Sequence, residues 1–477
     1  MYWLFRNKIR LLGLLLAAPW YAQAQPPTNP RPDQNSVPKQ VQAQTRNMPG
    51  QPATPPAAPT TLQQCLEFAL RNQPTVRQAR LDEGIGERNI RLALSEWMPQ
   101  VNGTGLYTRN TQLQATALPN FADPAAGQQI IRIGLKNVTT LGLQGTQLLY
   151  NNDVLRAARS VRYTRLGNAQ NTARTKINVV VDVSKAFYDI LLTQEQLNIL
   201  EEDVQRQERQ LRDSRARYEV GTSDKTDFLR ASISLKNVYA TRRSTAESLS
   251  GKYATLKQLM GYLPENNLVL AYDTTQMMRE TMLDTTEVLA YEKRIEVQQL
   301  QTQKNLQRFN IDYYRYGFLP SLSAFGNYNR VYQNNDFSTA YNRAFPNSNI
   351  GLQLAVPIFT GTRRIQNLRI EELTDSRLDL DLFETRNQIN TEYQQALGAY
   401  KGAVNELNTL RENLVDAKAV YNIINLQYRE GIRAYLELIT AETDLRTAQL
   451  NYYNALFDVL ASKLDVQRAL GNITFNQ

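Results

Sequence analysis

Histidine is absent from all 477 residues, and one cysteine, Cys65, is the entire thiol complement. Without histidine the chain lacks the commonest general base and metal ligand, and no carboxylate cluster takes its place. A lone cysteine excludes any intrachain disulfide. Cys65 stands too far along the chain to carry an N-terminal lipid, and it reads as a small apolar residue on a helix. No nucleophile–base pair suggests an enzyme, and no cofactor or metal is expected. Beyond the first 24 residues, no run approaches the ~18 apolar residues that a helical membrane span needs. The formal charge of +9 includes three cations in that opening segment. The rest are scattered along helices as a solvated surface, so no nucleic-acid partner is expected.

The opening segment, 1–24, reads as a secretory signal. Arg6, Lys8 and Arg10 supply the positive start, 11–18 the apolar stretch, and Ala22-Gln23-Ala24 the cleavage site. Residues 25–60 hold ten of the nineteen prolines. Such a composition buries too little apolar surface to fold, which predicts a disordered leader.

From residue 61 onward the sequence is an internal duplication. Trp97-Met98-Pro99-Gln100-Val101 answers to Phe318-Leu319-Pro320-Ser321-Leu322. Gly105, Tyr107 and Arg109 answer to Gly326, Tyr328 and Arg330 at the same spacing. Later, Tyr218-Glu219-Val220-Gly221 answers to Tyr428-Arg429-Glu430-Gly431. The first repeat is assigned to 61–262, a connecting segment to 263–283, and the second repeat to 284–477.

Each repeat predicts one plan. A helix (76–98 or 297–319) stops at a proline and a strand follows (101–110 or 322–332). A polar loop (111–136 or 333–347) leads to a second strand (138–149 or 349–359). A helix of about 65 residues (153–218 or 362–428) comes next, roughly 100 Å long. A turn at Gly221 or Gly431 reverses the chain, and a final helix ends near Gly261 or Gly471. The long helices carry heptad stripes, Leu200, Val204, Gln207 and Leu211 in one, and Leu407, Leu410, Leu414 and Ala417 in the other. The return helix of the second repeat repeats this pattern from Leu438 to Val459, whereas that of the first turns polar at Arg242.

Strands of about ten residues are long enough to cross a bilayer when tilted. Four per chain cannot close a barrel, and open edges in lipid leave backbone groups unpaired at several kcal/mol each. The expected fold class is therefore mainly α with a transmembrane β-barrel. Three copies would close twelve strands and continue them as an α-helical periplasmic tunnel.

These landmarks resemble the TolC-like outer-membrane efflux protein family over essentially all of 61–475. The most telling motifs are Arg217-Tyr218-Glu219-Val220-Gly221-Thr222 through Asp227, and Gln427-Tyr428-Arg429-Glu430-Gly431-Ile432-Arg433 through Glu437-Leu438. Both look like the family's periplasmic hairpin tips. The resemblance implies a homotrimer in outer-membrane lipid, a periplasmic adaptor, and an inner-membrane RND or ABC pump that provides the energy. Adaptor contacts would fall on Val220, Gly221, Thr222, Glu430, Gly431 and Ile432. The gate would consist of Asp227 pairing with Arg433 and Thr226 bonding Tyr428. Glu437 would form a constriction ring, with Thr440 in place of the family's second acid. Without the resemblance, Asp227, Arg433 and Glu437 read as ordinary helix-surface charges. Two other readings are an exit duct for a type I protein secretion system and a periplasmic coiled-coil scaffold without a pore.

Overall fold

The computed structural model describes residues 59–119, 128–271 and 274–473. The expected signal and nearly all of the expected leader lie outside them. Thr60, placed at the leader's end by composition, belongs to the folded part. It is buried and forms a parallel bridge with Leu270, with its N–H on the Val269 carbonyl at 2.8 Å.

Helix α1 (Leu62–Asn72) opens on Thr61, whose hydroxyl and Gln64 form a reciprocal capping box. Pro74 begins α2 (Pro74–Ser95), since proline at the first turn costs no hydrogen bond. Strands β1 (Gln100–Arg109), β2 (Gln114–Pro119), β3 (Gln128–Ile133) and β4 (Asn137–Tyr150) follow. Then come α3 (Asn152–Glu219), of 68 residues, and α4 (Lys225–Met260), of 36. A short α5 (Thr274–Glu280) lies in the connecting segment. The second set is α6 (Ile295–Arg315), β5 (Ser321–Asn334), β6 (Ala344–Ala355), α7 (Arg363–Arg429) and α8 (Tyr435–Leu470).

Several boundaries differ from the sequence reading. Helices α2 and α6 stop three to four residues before Met98 and Leu319, because a residue preceding proline leaves the helical region and a closing turn is needed first. In the first repeat that turn is made by the Trp97 and Met98 amides on the Leu94 and Ser95 carbonyls. The loop 111–136 is not wholly irregular, since β2 and β3 pair within it as an antiparallel hairpin. Strand β6 starts earlier and stops at Ala355, leaving 356–359 outside it.

The four longer strands form one antiparallel sheet in the order β1-β4-β5-β6. Its register sorts the side chains by face. Asn102 lies opposite Gln144, which lies opposite Asn327, and Asn327 opposite Asn349. Thr104, Gly142, Asn329 and Asn347 form the next row of the same face, where the Asn329 amide donates to Asn347 at 3.1 Å. The other face carries Val101, Leu141, Leu143, Leu322, Ile350, Leu352 and Leu354. Period-two alternation places these opposite the polar rows. One side of the sheet is thus mainly apolar, with Arg109 and Arg330 among its residues, and the other is amide-rich, with Leu106, Phe325 and Val331 among its residues.

Helix α2 packs on α3, α3 on α6, and α6 on α7, while α3–α4 and α7–α8 form the two hairpins. Along the seams Leu200, Val204 and Gln207 of α3, and Leu438, Ala441, Leu445, Tyr452 and Val459 of α8, are buried, whereas Leu211 and the α7 stripe Leu407, Leu410, Leu414 and Ala417 are only half-buried. The largest apolar cluster joins α1, α2, α3, α4, α5 and α8 through Cys65, Val76, Phe187, Ile190, Leu256, Met260, Met277 and Leu456. Arg242, where the α4 stripe breaks, reaches Glu201 of α3 at 3.9 Å. Salt bridging there replaces apolar packing.

Candidate functional site at the hairpin tips

Both hairpins reverse by the same local device. Helix α3 ends as Gly221 enters the left-handed region at φ +82°, with its N–H on the Tyr218 carbonyl and that of Thr222 on the Arg217 carbonyl at 2.8 Å. In the second tip Gly431 sits at φ +76°, and the Ile432 N–H reaches the Gln427 carbonyl at 2.8 Å. A Cβ at either glycine would meet nothing within 4 Å. Backbone conformation, not space, requires glycine here. Beyond the turn, Asp224 caps α4 by accepting from the Thr226 N–H at 3.1 Å. These turns push Val220 and Ile432 into solvent, 79% and 71% exposed.

The candidate gate residues lie together at the tips, but within one chain they choose other partners. Asp227 accepts from the Ser223 hydroxyl at 2.9 Å. Arg433 donates to Glu437 at 2.6 Å and to the Gln427 side chain at 3.1 Å. Within one chain these residues form no Asp227–Arg433 ion pair and no Thr226–Tyr428 hydrogen bond. The Arg433–Glu437 pair is an i,i+4 contact with both side chains over 40% exposed. It sets a neutralising charge beside the Glu437 carboxylate.

Sequence reasoning passed over three features. Arg217 lies over the Tyr428 ring at 4.8 Å and donates to the Arg429 carbonyl at 3.4 Å, tying the first tip to the end of α7. Tyr428 itself is buried with Ala231, Tyr435 and Leu438, and this burial raises its phenol pKa. Further up, Asp203, Gln207 and Glu442 form a buried polar cluster between α3 and α8. Gln207 was the available signal for that cluster, because an amide in an apolar seam needs a partner.

The family model for outer membrane efflux proteins matches residues 65–262 and 288–472. The chain belongs to this family. Both matched segments contain a strand pair and a hairpin tip. Among relatives of this efflux protein, the outer membrane protein TolC of Vibrio cholerae is 23% identical over 413 residues, covering 85% of this chain and 89% of that protein. The efflux protein BepC of Brucella suis is 21% identical over 427 residues, covering 87% and 86%. The alkaline protease secretion protein AprF of Pseudomonas aeruginosa is 22% identical over 333 residues, covering 68% and 67%. Of solved structures, CusC superposes with a TM-score of 0.69 at 17% identity, covering 89% of this chain and 97% of that one. The Campylobacter jejuni CmeC channel gives 0.68 at 17%, covering 86% and 85%. This efflux protein is accordingly an outer-membrane channel component that extends into the periplasm, with the fold of the trimeric channels.

Proposed function

We propose that three copies of this chain form the outer-membrane duct of a tripartite efflux system for small molecules. A periplasmic adaptor opens its tip, and an inner-membrane RND or ABC pump drives transport. The observation that carries this reading is the sheet: β1 and β6 each leave one edge without a partner strand among the described residues, beside an apolar face that suits lipid. Unpaired edges in hydrocarbon cost several kcal/mol per group, and neighbouring copies remove that cost. The helices continue the same logic. Leu81, Ile85 and Leu92 of α2 and Ile370, Leu373, Leu380 and Phe383 of α7 are exposed on the two outermost helices of the α2–α3–α6–α7 layer.

At the tips, gate contacts form between copies: Asp227 with Arg433, and Thr226 with Tyr428, around a ring of Glu437. To reach a neighbour's Asp227, Arg433 must release Glu437, an exchange of one exposed pair for another. Exposed pairs contribute ~0.2–1 kcal/mol each. The exchange keeps only the difference between two such terms, so a threefold gate holds by at most a few kcal/mol, below the ~5.5 kcal/mol needed to invert a 99:1 population. An adaptor gripping Val220, Gly221, Thr222, Glu430, Gly431 and Ile432 supplies the difference without chemistry in this chain. Combining Asp227→Ala with Arg433→Ala should raise single-channel conductance in planar bilayers. Unchanged conductance removes these residues from the gate.

The similarity to AprF favours a second reading, an exit duct for secreted protein. Deleting the gene separates the two. Greater sensitivity to small toxic compounds with normal protein secretion supports efflux, and the opposite pattern supports secretion.

A further inference from the structure

Glu442 is the most deeply buried carboxylate of α8, at 2% exposure, and it faces α3 across the interface between the two hairpins of one chain. Its Oε2 accepts from the Gln207 amide at 2.8 Å, and the Gln210 amide faces the same carboxylate. Asp203, fully buried on α3, adds a second negative charge. That charge is matched by Arg446 of α8 at 2.8 Å and by Arg206 at 3.3 Å. Glu442 has no such cation of its own. Its Oε1 has no hydrogen-bond partner among the described residues, and neither do Gln207 Oε1, Gln210 Oε1 or the Tyr435 hydroxyl. A buried acceptor without a donor costs about 1–3 kcal/mol. One proton on Oε1 turns it from an unmatched acceptor into a donor among acceptors.

We propose that this cluster is a second lock on the periplasmic end, distinct from the tip contacts, in which a proton carried by Glu442 holds α8 against α3 and its loss frees the second hairpin to move. The proposal rests on the reading of the tips as a gate and adds a control to it. Burial, and then the Asp203 charge, raise the Glu442 pKa from 4.5 to about 7, so the packed form keeps its proton near neutrality. Separation of α8 from α3 admits water and restores the ordinary value. A carboxyl whose pKa is raised by packing stabilises the packed form at low pH, and that contribution is lost as pH rises through about 7. The charged and titratable groups that act on it are Asp203 and Arg206 on α3, Tyr421 and Tyr428 on α7, and Tyr435 on α8, with Arg446 of α8 held on Asp203. From α4, Arg230 lines with Asn237, Thr443 and Arg446 a cavity of about 390 Å³.

The test is single-channel recording of the assembled protein with the pH varied on the tip side only. From about pH 5.5 to about pH 8.5 the open-to-closed ratio should rise roughly thirty-fold per chain, worked from the two pKa values above. Glu442→Gln keeps the shape, puts a permanent N–H donor where the proton sat and cannot ionise, so its conductance should stay low and pH-independent over that range. Gln207→Ala removes a donor that favours the ionised form, so its transition should move to higher pH. A flat wild-type profile, a wild-type-like profile in Glu442→Gln, or an unmoved midpoint in Gln207→Ala overturns the proposal. The channel carrying Asp227→Ala and Arg433→Ala separates the two failures. If it conducts no better than wild type at any pH, the gate reading fails; if it conducts better while Glu442→Gln keeps the wild-type profile, only the second lock fails.

Discussion

Replacing Arg217 by alanine should loosen the periplasmic end, and the structure sets the size of the effect. The guanidinium lies 4.8 Å from the Tyr428 ring centre. A cation–π contact contributes about 0.5–1 kcal/mol when exposed and ~2 kcal/mol when desolvated. Arg217 is half-buried, so about 1 kcal/mol per chain is appropriate. The hydrogen bond to the Arg429 carbonyl, at 3.4 Å, is long and adds little. Three chains moving together lose roughly 3 kcal/mol, a shift of about a hundredfold in the open-to-closed ratio. Single-channel recording reads this as a rise in open probability. Arg217→Lys, which keeps a cation over the ring but cannot stack flat, should fall between the two. If Arg217→Ala leaves the open probability unchanged while trimers still form, the clasp has no part in closure.

Two further outcomes follow from packing. Leu438→Ala empties a fully buried position between Tyr428, Tyr435 and Ala231; it should cost about 2–5 kcal/mol and lower the temperature at which the periplasmic helices melt by circular dichroism. Burial pushes the Cys65 thiol pKa up to about 12. The native protein should therefore resist a maleimide at about pH 8 and react fully once denatured, because only the thiolate attacks.

The sequence displayed its periodic features and hid its exceptions. Proline at 99 and 320, glycine at 221 and 431, and the heptad stripes each act locally, so strand starts, tips and seams could be read directly. The β2–β3 hairpin was invisible because Gln114–Pro119 and Gln128–Ile133 mix polar and apolar residues without a strict alternation. The polar Asn102, Thr104, Asn327 and Asn329 take their meaning only from the pairing, which puts all four on one face. Glu442 follows the seam residue Ala441, and nothing local in the sequence marks it as buried. Only the approach of α3, more than 200 residues earlier, buries it, and a helical period cannot report such a contact. At the tips the glycines were legible, but the partners of Asp227 and Arg433 were not, because charged side chains at a turn have several partners within reach.

The most direct test of the account places one cysteine on the open edge of β1 and another on the open edge of β6, scanned over successive registers, in protein lacking Cys65. The account predicts that oxidation in the membrane links chain to chain and yields covalent dimers and trimers that stop at three. Conducting protein that remains monomeric in every register, or chains that continue to link beyond three, would contradict it.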